Sequence, residues 1–260
     1  MAVVFLVSLS ACLPAAAQVS ATASPFSPLA SLTGTHTLTL TSTPTDTATP
    51  TASLTPTATS TPTPTPIPPV QSLRAKVSVA GRLACRFGPG VPYLFKFSFA
   101  GTANIELVGR MEFSHWVLAR AIGGTNRCWV NGGPDYLLIN GDPLALPVAD
   151  PHIVLPWSDY YGPMSNVSAT RSASQVTVTY SGIVLVPDRG DDSEQTPYVL
   201  EAWVCQGGEH VFIAVGSYSY SASVVDEPGC AELSHGRVFA AEKHGYTPWV
   251  GVPWPPAPKP

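Results

Sequence analysis

From Tyr93 to Ala100 the chain alternates: Tyr93, Phe95, Phe97 and Phe99 occupy every second position, with Leu94, Lys96, Ser98 and Ala100 between them. A period of two sends successive side chains to opposite faces, so this stretch predicts a half-buried strand. Before it stands Gly88-Pro89-Gly90, a turn signal, because proline fixes φ and glycine permits positive φ. Gly101-Thr102 turns the chain again, and Ala103–Val108, Trp116–Ala121 and Arg127–Val130 predict further strands. The last two are joined by Gly123-Gly124-Thr125-Asn126, which suits a hairpin loop. Short strands separated by Gly/Pro turns argue for an all-β barrel or sandwich.

A second set of strands comes after it. Asn166–Thr170, Val176–Ser181, Tyr198–Val204, His210–Val215, Tyr218–Val225, Arg237–Ala241 and Trp249–Val252 predict about seven strands, the number in an immunoglobulin-like sandwich. Between the two sets, Gly141–Tyr161 carries Pro143, Pro147, Pro151 and Pro156, which exclude a helix. This segment reads as a connection, with Trp157, Tyr160 and Tyr161 packing at the junction. Pro253–Pro260 reads as a frayed tail.

The N-terminal quarter has a different pattern. Every odd position from 33 to 65 is Thr except Ser53, with Pro, Ala, Ser and Leu prominent between. This period of two is a tandem repeat with no apolar face, and it cannot bury enough surface to offset its chain entropy. Residues 18–69 are expected to form a disordered Thr/Pro-rich stalk, with a reach of roughly 150 Å at about 3.1 Å per residue. Residues Ala2–Leu9 are apolar but too short to span a bilayer.

Composition narrows the function. A net charge of −4 with no Lys/Arg cluster argues against nucleic acid and against anionic membrane surfaces. Gly-x-Ser-x-Gly, His-Glu-x-x-His and phosphate-binding glycine loops do not occur. No cofactor is expected, and the chain is read as a monomer and not an enzyme.

Several pieces carry a family resemblance: Cys85-Arg86-Phe87-Gly88-Pro89-Gly90 followed by Tyr93, the Gly101-Thr102 turn, Val108-Gly109, Trp116-Val117, Cys128-Trp129-Val130 and Tyr136-Leu137. Together they resemble a bacterial SH3 domain. Phe87 and Cys128 stand where that family often has Ser and Gly. Asn166–Thr170 and Val176–Tyr180 resemble the opening of a fibronectin type III domain, with Tyr180 where that family keeps a core Trp. Leu9-Ser10-Ala11-Cys12 resembles a lipobox, which implies lipidation of Cys12 and anchoring to the cell membrane; a secretory signal cut after Ala17 is the alternative. The expected organisation is a signal and anchor region over 1–17 and the stalk over 18–69. An SH3-like barrel is then expected over 70–142, a linker over 143–161, a fibronectin III-like sandwich over 162–254 and a Pro-rich tail over 255–260.

Five cysteines leave an odd count. With Cys12 lipidated, Cys85 would pair with Cys128 and Cys205 with Cys230; under the SH3 resemblance Cys85 and Cys128 fall on strands that can be neighbours. Such pairing implies an oxidising, extracytoplasmic compartment. Zinc at Cys205, Cys230, His235 and His244, or calcium at Asp188, Asp191, Asp192 and Glu194, are the alternatives. Phe87, Tyr93, Trp116, Trp129 and Tyr136 could line a shallow aromatic groove. The resemblance implies binding to peptidoglycan or its stem peptides. A protein-interaction or adhesion module, and an envelope hydrolase with an unrecognised site, are the rival readings.

Overall fold

The computed structural model describes residues 70–185, 196–243 and 245–257. Cys12, the Thr/Pro segment, Asp188, Asp191, Asp192, Glu194 and His244 lie outside them. The described residues all belong to one compact unit. Its described part is all-β apart from one turn of 3-10 helix, and no helix in it is long and apolar enough to cross a membrane.

The first module has strands β1 (Leu73–Val77), β2 (Arg82–Arg86), β3 (Phe95–Ala100), β4 (Asn104–Arg110), β5 (Trp116–Ala121), β6 (Arg127–Asn131) and β7 (Leu137–Asn140). They form one antiparallel sheet in the order β3-β2-β6-β5-β4-β1-β7, with β3 and β7 as its edges. Register shifts at Cys85/Arg86 and Leu107/Gly109 sharpen its twist, as bulges do. The sheet curls as a half-barrel around one core, to which every strand contributes; Val77, Leu83, Phe99, Leu107, Val117, Val130 and Leu137 all belong to it. Within that core Cys85 and Cys128 form a disulfide, with Cα atoms 5.5 Å apart. The aromatic alternation is only partly a buried face: Phe99 is buried, but Phe95, on an edge strand, is 49% exposed.

The second module contains β8 (Ser165–Ser172), β9 (Gln175–Ser181), β10 (Tyr198–Gln206), β11 (Glu209–Ser217), β12 (Ser221–Val225), β13 (His235–Glu242), β14 (Gly245–Tyr246) and β15 (Val250–Gly251). Strands β12-β9-β8 form one sheet and β11-β10-β13-β14 the other, with β15 also paired to β13. Val176, Val178 and Tyr180 from the first sheet join Leu200, Ala202, Val204 and Val238 from the second in one core. The strand predicted from Tyr218 starts later, at Ser221, and Tyr218 is exposed.

Strand β10 is buried on both of its faces. Leu200, Ala202 and Val204 face the sandwich core, so Val199, Glu201 and Trp203 project to the other side. That side is also covered: Val199 and Glu201 are both fully buried. A strand covered in this way reads as a near-continuous apolar run, which suits YVLEAWVCQ except for its glutamate.

Two expectations change. The prolines exclude an α-helix, but one 3-10 turn starts at Pro143, where no N–H is needed, and Asp142 caps it by accepting from the Leu144 N–H at 2.9 Å. The C-terminal segment is tied down as far as Pro255 and is not frayed from Pro253. Trp254 donates its indole N–H to Asp226 at 2.9 Å, and the Pro255 carbonyl accepts from Arg171 at 3.1 Å.

Asp226 is the knot at this end of the sandwich. Its fully buried carboxylate also accepts from Ser234 Oγ at 2.6 Å, from the Cys205 N–H at 3.1 Å and from the Arg171 guanidinium. Beside it Cys205 and Cys230 form the second disulfide, with Cα atoms 5.7 Å apart. Asp226→Ala would leave Arg171 without its ion pair and is expected to cost about 3–5 kcal/mol, the usual loss when one partner of a buried pair is removed. Urea denaturation of the oxidised protein measures it, and a loss below about 1 kcal/mol would show that solvent satisfies these donors instead.

Candidate functional site

The outer face of β10 and β13 packs against the first module, and that seam builds the candidate site. One cluster joins Tyr93 of the first module to Leu155 of the connection and to Val199, Phe239, Ala241 and Tyr246 of the second. Another joins Met111, Trp116, Leu118 and Trp129 to Phe212. Backbone and side-chain bonds cross the seam as well: the Phe212 N–H donates to the Phe113 carbonyl at 2.8 Å, and the Leu94 N–H to the Tyr246 hydroxyl at 2.6 Å. Gly88-Pro89-Gly90 is shaped for this contact. A Cβ at Gly88 would sit 2.1 Å from the Tyr93 ring, and one at Gly90 would sit 2.6 Å from the Ala214 Cβ of β11.

Glu201 lies at the centre of the seam with no solvent exposure. The Tyr93 hydroxyl donates to it from the first module, and the Arg237 Nε donates to it from β13. His152 of the connection contributes Nε2 at 2.8 Å. Burial alone pushes this carboxyl upward, but the His152 bond, the charges of His152 and Arg237 and the Tyr93 bond outweigh it. The carboxyl is therefore held below the ordinary glutamate range. Burial, followed by the Glu201 charge, drives the Tyr93 phenol well above its usual range, so it stays a neutral donor.

The seam places most of the predicted aromatic residues. Tyr93 and Trp129 are fully buried and Trp116 is 8% exposed, so these three do not form an open groove with Phe87 and Tyr136. The reason is physical: the face of the half-barrel that carries them is covered by the second module. Trp129 donates its indole N–H to the Pro151 carbonyl at 3.1 Å. Phe87 is half-buried beside the Tyr93 cluster, under Lys96 Nζ at 5.2 Å, and Tyr136 lies in the β6–β7 turn, 38% exposed. The sulfurs of Cys205 and Cys230 are joined to each other and are not available as zinc ligands.

At one of the places where the seam opens to solvent it leaves a cleft of about 400 Å³. Met111, Glu112 and Val148–Pro151 form one wall; Trp203, His235, Arg237 and Trp249 form the other. The second wall is layered. His235 stacks on Trp203, with ring centroids 4.8 Å apart and planes 6° apart. The Arg237 guanidinium lies 5.1 Å from the Trp203 ring and 5.4 Å from the Trp249 ring. Its Nε holds Glu201, so one residue closes the buried seam and lines the open cleft. Trp249 also borders a neighbouring hollow of about 350 Å³, lined with Trp157, Ser158, Asp159 and Pro248. Sequence reasoning missed Trp203, Arg237 and Trp249 as site candidates; the one available signal was a glutamate and a tryptophan inside an otherwise apolar strand.

No family model and no curated protein matches the chain. A solved structure described as titin kinase and its flanking domains is similar over 38% of this chain at 19% identity with a TM-score of 0.28, and the match spans 18% of that chain. So slight a likeness carries no functional weight.

The depressed Glu201 carboxyl sets a pH dependence. A lowered folded-state value means that its stabilisation is present above the ordinary glutamate value of 4.5 and is lost as pH falls through the lower folded-state value. Glu201→Gln should therefore melt below the parent at pH 7, and the gap should shrink as pH falls below 4.5. Thermal denaturation of both proteins from pH 7 to pH 3 checks this; a gap that is constant with pH would mean that the carboxylate charge is not what the seam uses.

Proposed function

We propose that this chain is a non-catalytic binding protein of the cell envelope, held outside the membrane by lipidated Cys12 and the Thr/Pro stalk, and that it engages peptidoglycan at the seam between its modules. The observation that carries the reading is the open cleft beside Trp203 and Trp249, framed by two modules in one compact unit. Sites for small ligands are typically concave, mostly apolar and furnished with a few placed polar groups, and this cleft has that make-up. Two disulfides are compatible with an extracytoplasmic location. The described cysteines are all paired, so none offers a thiolate nucleophile.

The buried seam alters where the ligand would be met. The resemblance points to aromatic side chains of the barrel, but three of them, Tyr93, Trp116 and Trp129, are buried in the seam. Beside the cleft the exposed indoles are Trp249 and Trp157, at 49% and 42%.

The test is sedimentation of the oxidised protein with purified peptidoglycan sacculi. Saturable pelleting is expected, and Trp249→Ala should weaken it by about tenfold or more, equivalent to about 1.4 kcal/mol. Absence of pelleting by a folded, disulfide-intact protein would remove the wall-binding reading and leave a protein partner at the cell surface as the next one to test.

A further inference from the structure

We propose that the groove running from the Trp203–Arg237 cleft past Trp249 to Trp157 is a saccharide site that takes a neutral oligosaccharide of at least two rings. Such a site rests on the binding-protein reading and narrows its ligand to the glycan and away from the peptide.

Two hollows share Trp249 as their common wall. At about 400 and 350 Å³ each has the lower-end volume of a small-molecule site, roughly enough for one or two sugar rings. A pyranose presents an apolar C–H face and a rim of hydroxyls. Large flat indoles suit the face, and charged hydrogen-bonding groups suit the rim. Here Trp249 and Trp157 are the exposed indoles; Asp150 and Glu112 line the first hollow and Asp159 the second. Arg237 engages Glu201 through Nε, which leaves its Nη groups as hydroxyl donors.

Charge separates the ligand classes. Three carboxylates border the groove, and the guanidinium within it is already balanced by buried Glu201. A polyanion would meet like charge without compensation, and a neutral sugar would not. One way an extended peptide gains affinity is by adding a strand to a sheet edge. The edge beside this groove consists of β14 and β15, two residues each, which is too short to extend.

Both indoles are held in advance. Trp157 pairs with Tyr246 in a parallel bridge, the next N–H, from Ser158, donates to the Tyr246 carbonyl at 2.7 Å, and the Trp157 ring meets His152 edge-on at 5.0 Å. Trp249 is bracketed by the Thr247 N–H bond to the Ala240 carbonyl at 2.9 Å and by the pairing of Val250 with Val238. Preorganised platforms reduce the ordering cost of binding.

Isothermal titration of the full oxidised protein with N-acetylglucosamine and its oligomers of two to six units, and separately with a free stem tetrapeptide, tests this. Affinity is expected to rise about tenfold from one unit to the longer oligomers. It should fall about tenfold or more in both Trp157→Ala and Trp249→Ala, while Trp249→Phe keeps most of it. Both positions are substantially exposed, so unchanged melting temperatures confirm that the variants fold. Sacculus pelleting without oligomer binding would overturn the saccharide site and leave the wall-binding reading standing. Oligomer binding that neither variant weakens would overturn this location, and binding of the tetrapeptide alone would overturn the ligand class. Failure of both pelleting and oligomer binding would overturn both proposals.

Discussion

A carboxylate with no access to water must be satisfied by what surrounds it, and Glu201 is satisfied from three directions. Its partners come from the turn before β3, from the connection between the modules and from the neighbouring strand β13. An unpaired charge at that depth would cost several kcal/mol. The conformation in which Glu201 can stay ionised is therefore the one that brings both modules and the connection together. The hydrophobic clusters on either side supply the bulk of the burial, but they are tolerant of small slips. The hydrogen bonds to Glu201 are not, and they give the seam its register.

This constraint explains features that otherwise look unrelated. The glycines of Gly88-Pro89-Gly90 do not have positive φ; they are small because Tyr93 and Ala214 lie where side chains would go. The connection, though rich in proline, is packed: Leu155 is buried, Pro151 accepts from Trp129 and His152 reaches Glu201. It works as mortar between the modules and not as a flexible tether.

How much of this could be read from the sequence depends on the range of the interaction. Alternation is local, so the strands around Phe97, Val117, Val178 and Leu200 were legible, as was the all-β class. Leu73–Val77 alternates equally well, but it is short and adjoins the Thr/Pro segment, which masks it as a strand. The aromatic residues stand out in the sequence as groove candidates, but composition cannot say whether an indole meets a ligand or another part of its own chain. Tyr93 and Glu201 are 108 positions apart. Nothing in the spacing of either residue marks the other, and the wide separation also hid the cleft that their contact shapes. A glutamate between Leu200 and Ala202 was the visible anomaly: a charge in a two-sided apolar strand needs partners that a strand pattern does not name.

Arg237 joins the buried and the open halves of the seam. Its Nε fixes Glu201, and its guanidinium plane lies near two indoles of the cleft wall. Because one planar group makes both sets of contacts, the geometry of the cleft is set by the same bond that locks the modules. A lysine could carry the charge but not the planar fork or the stacking. Loss of Arg237 would thus disturb folding and any binding together and could not separate them. Trp249 and Trp157 stand on the solvent side of the same arrangement, outside the buried clusters, and their rings meet the seam only at Arg237 and His152. That division, with a rigid charged hinge beneath and exposed platforms above, is what lets an all-β chain with no strand edge long enough for peptide pairing at this groove still offer a shaped surface.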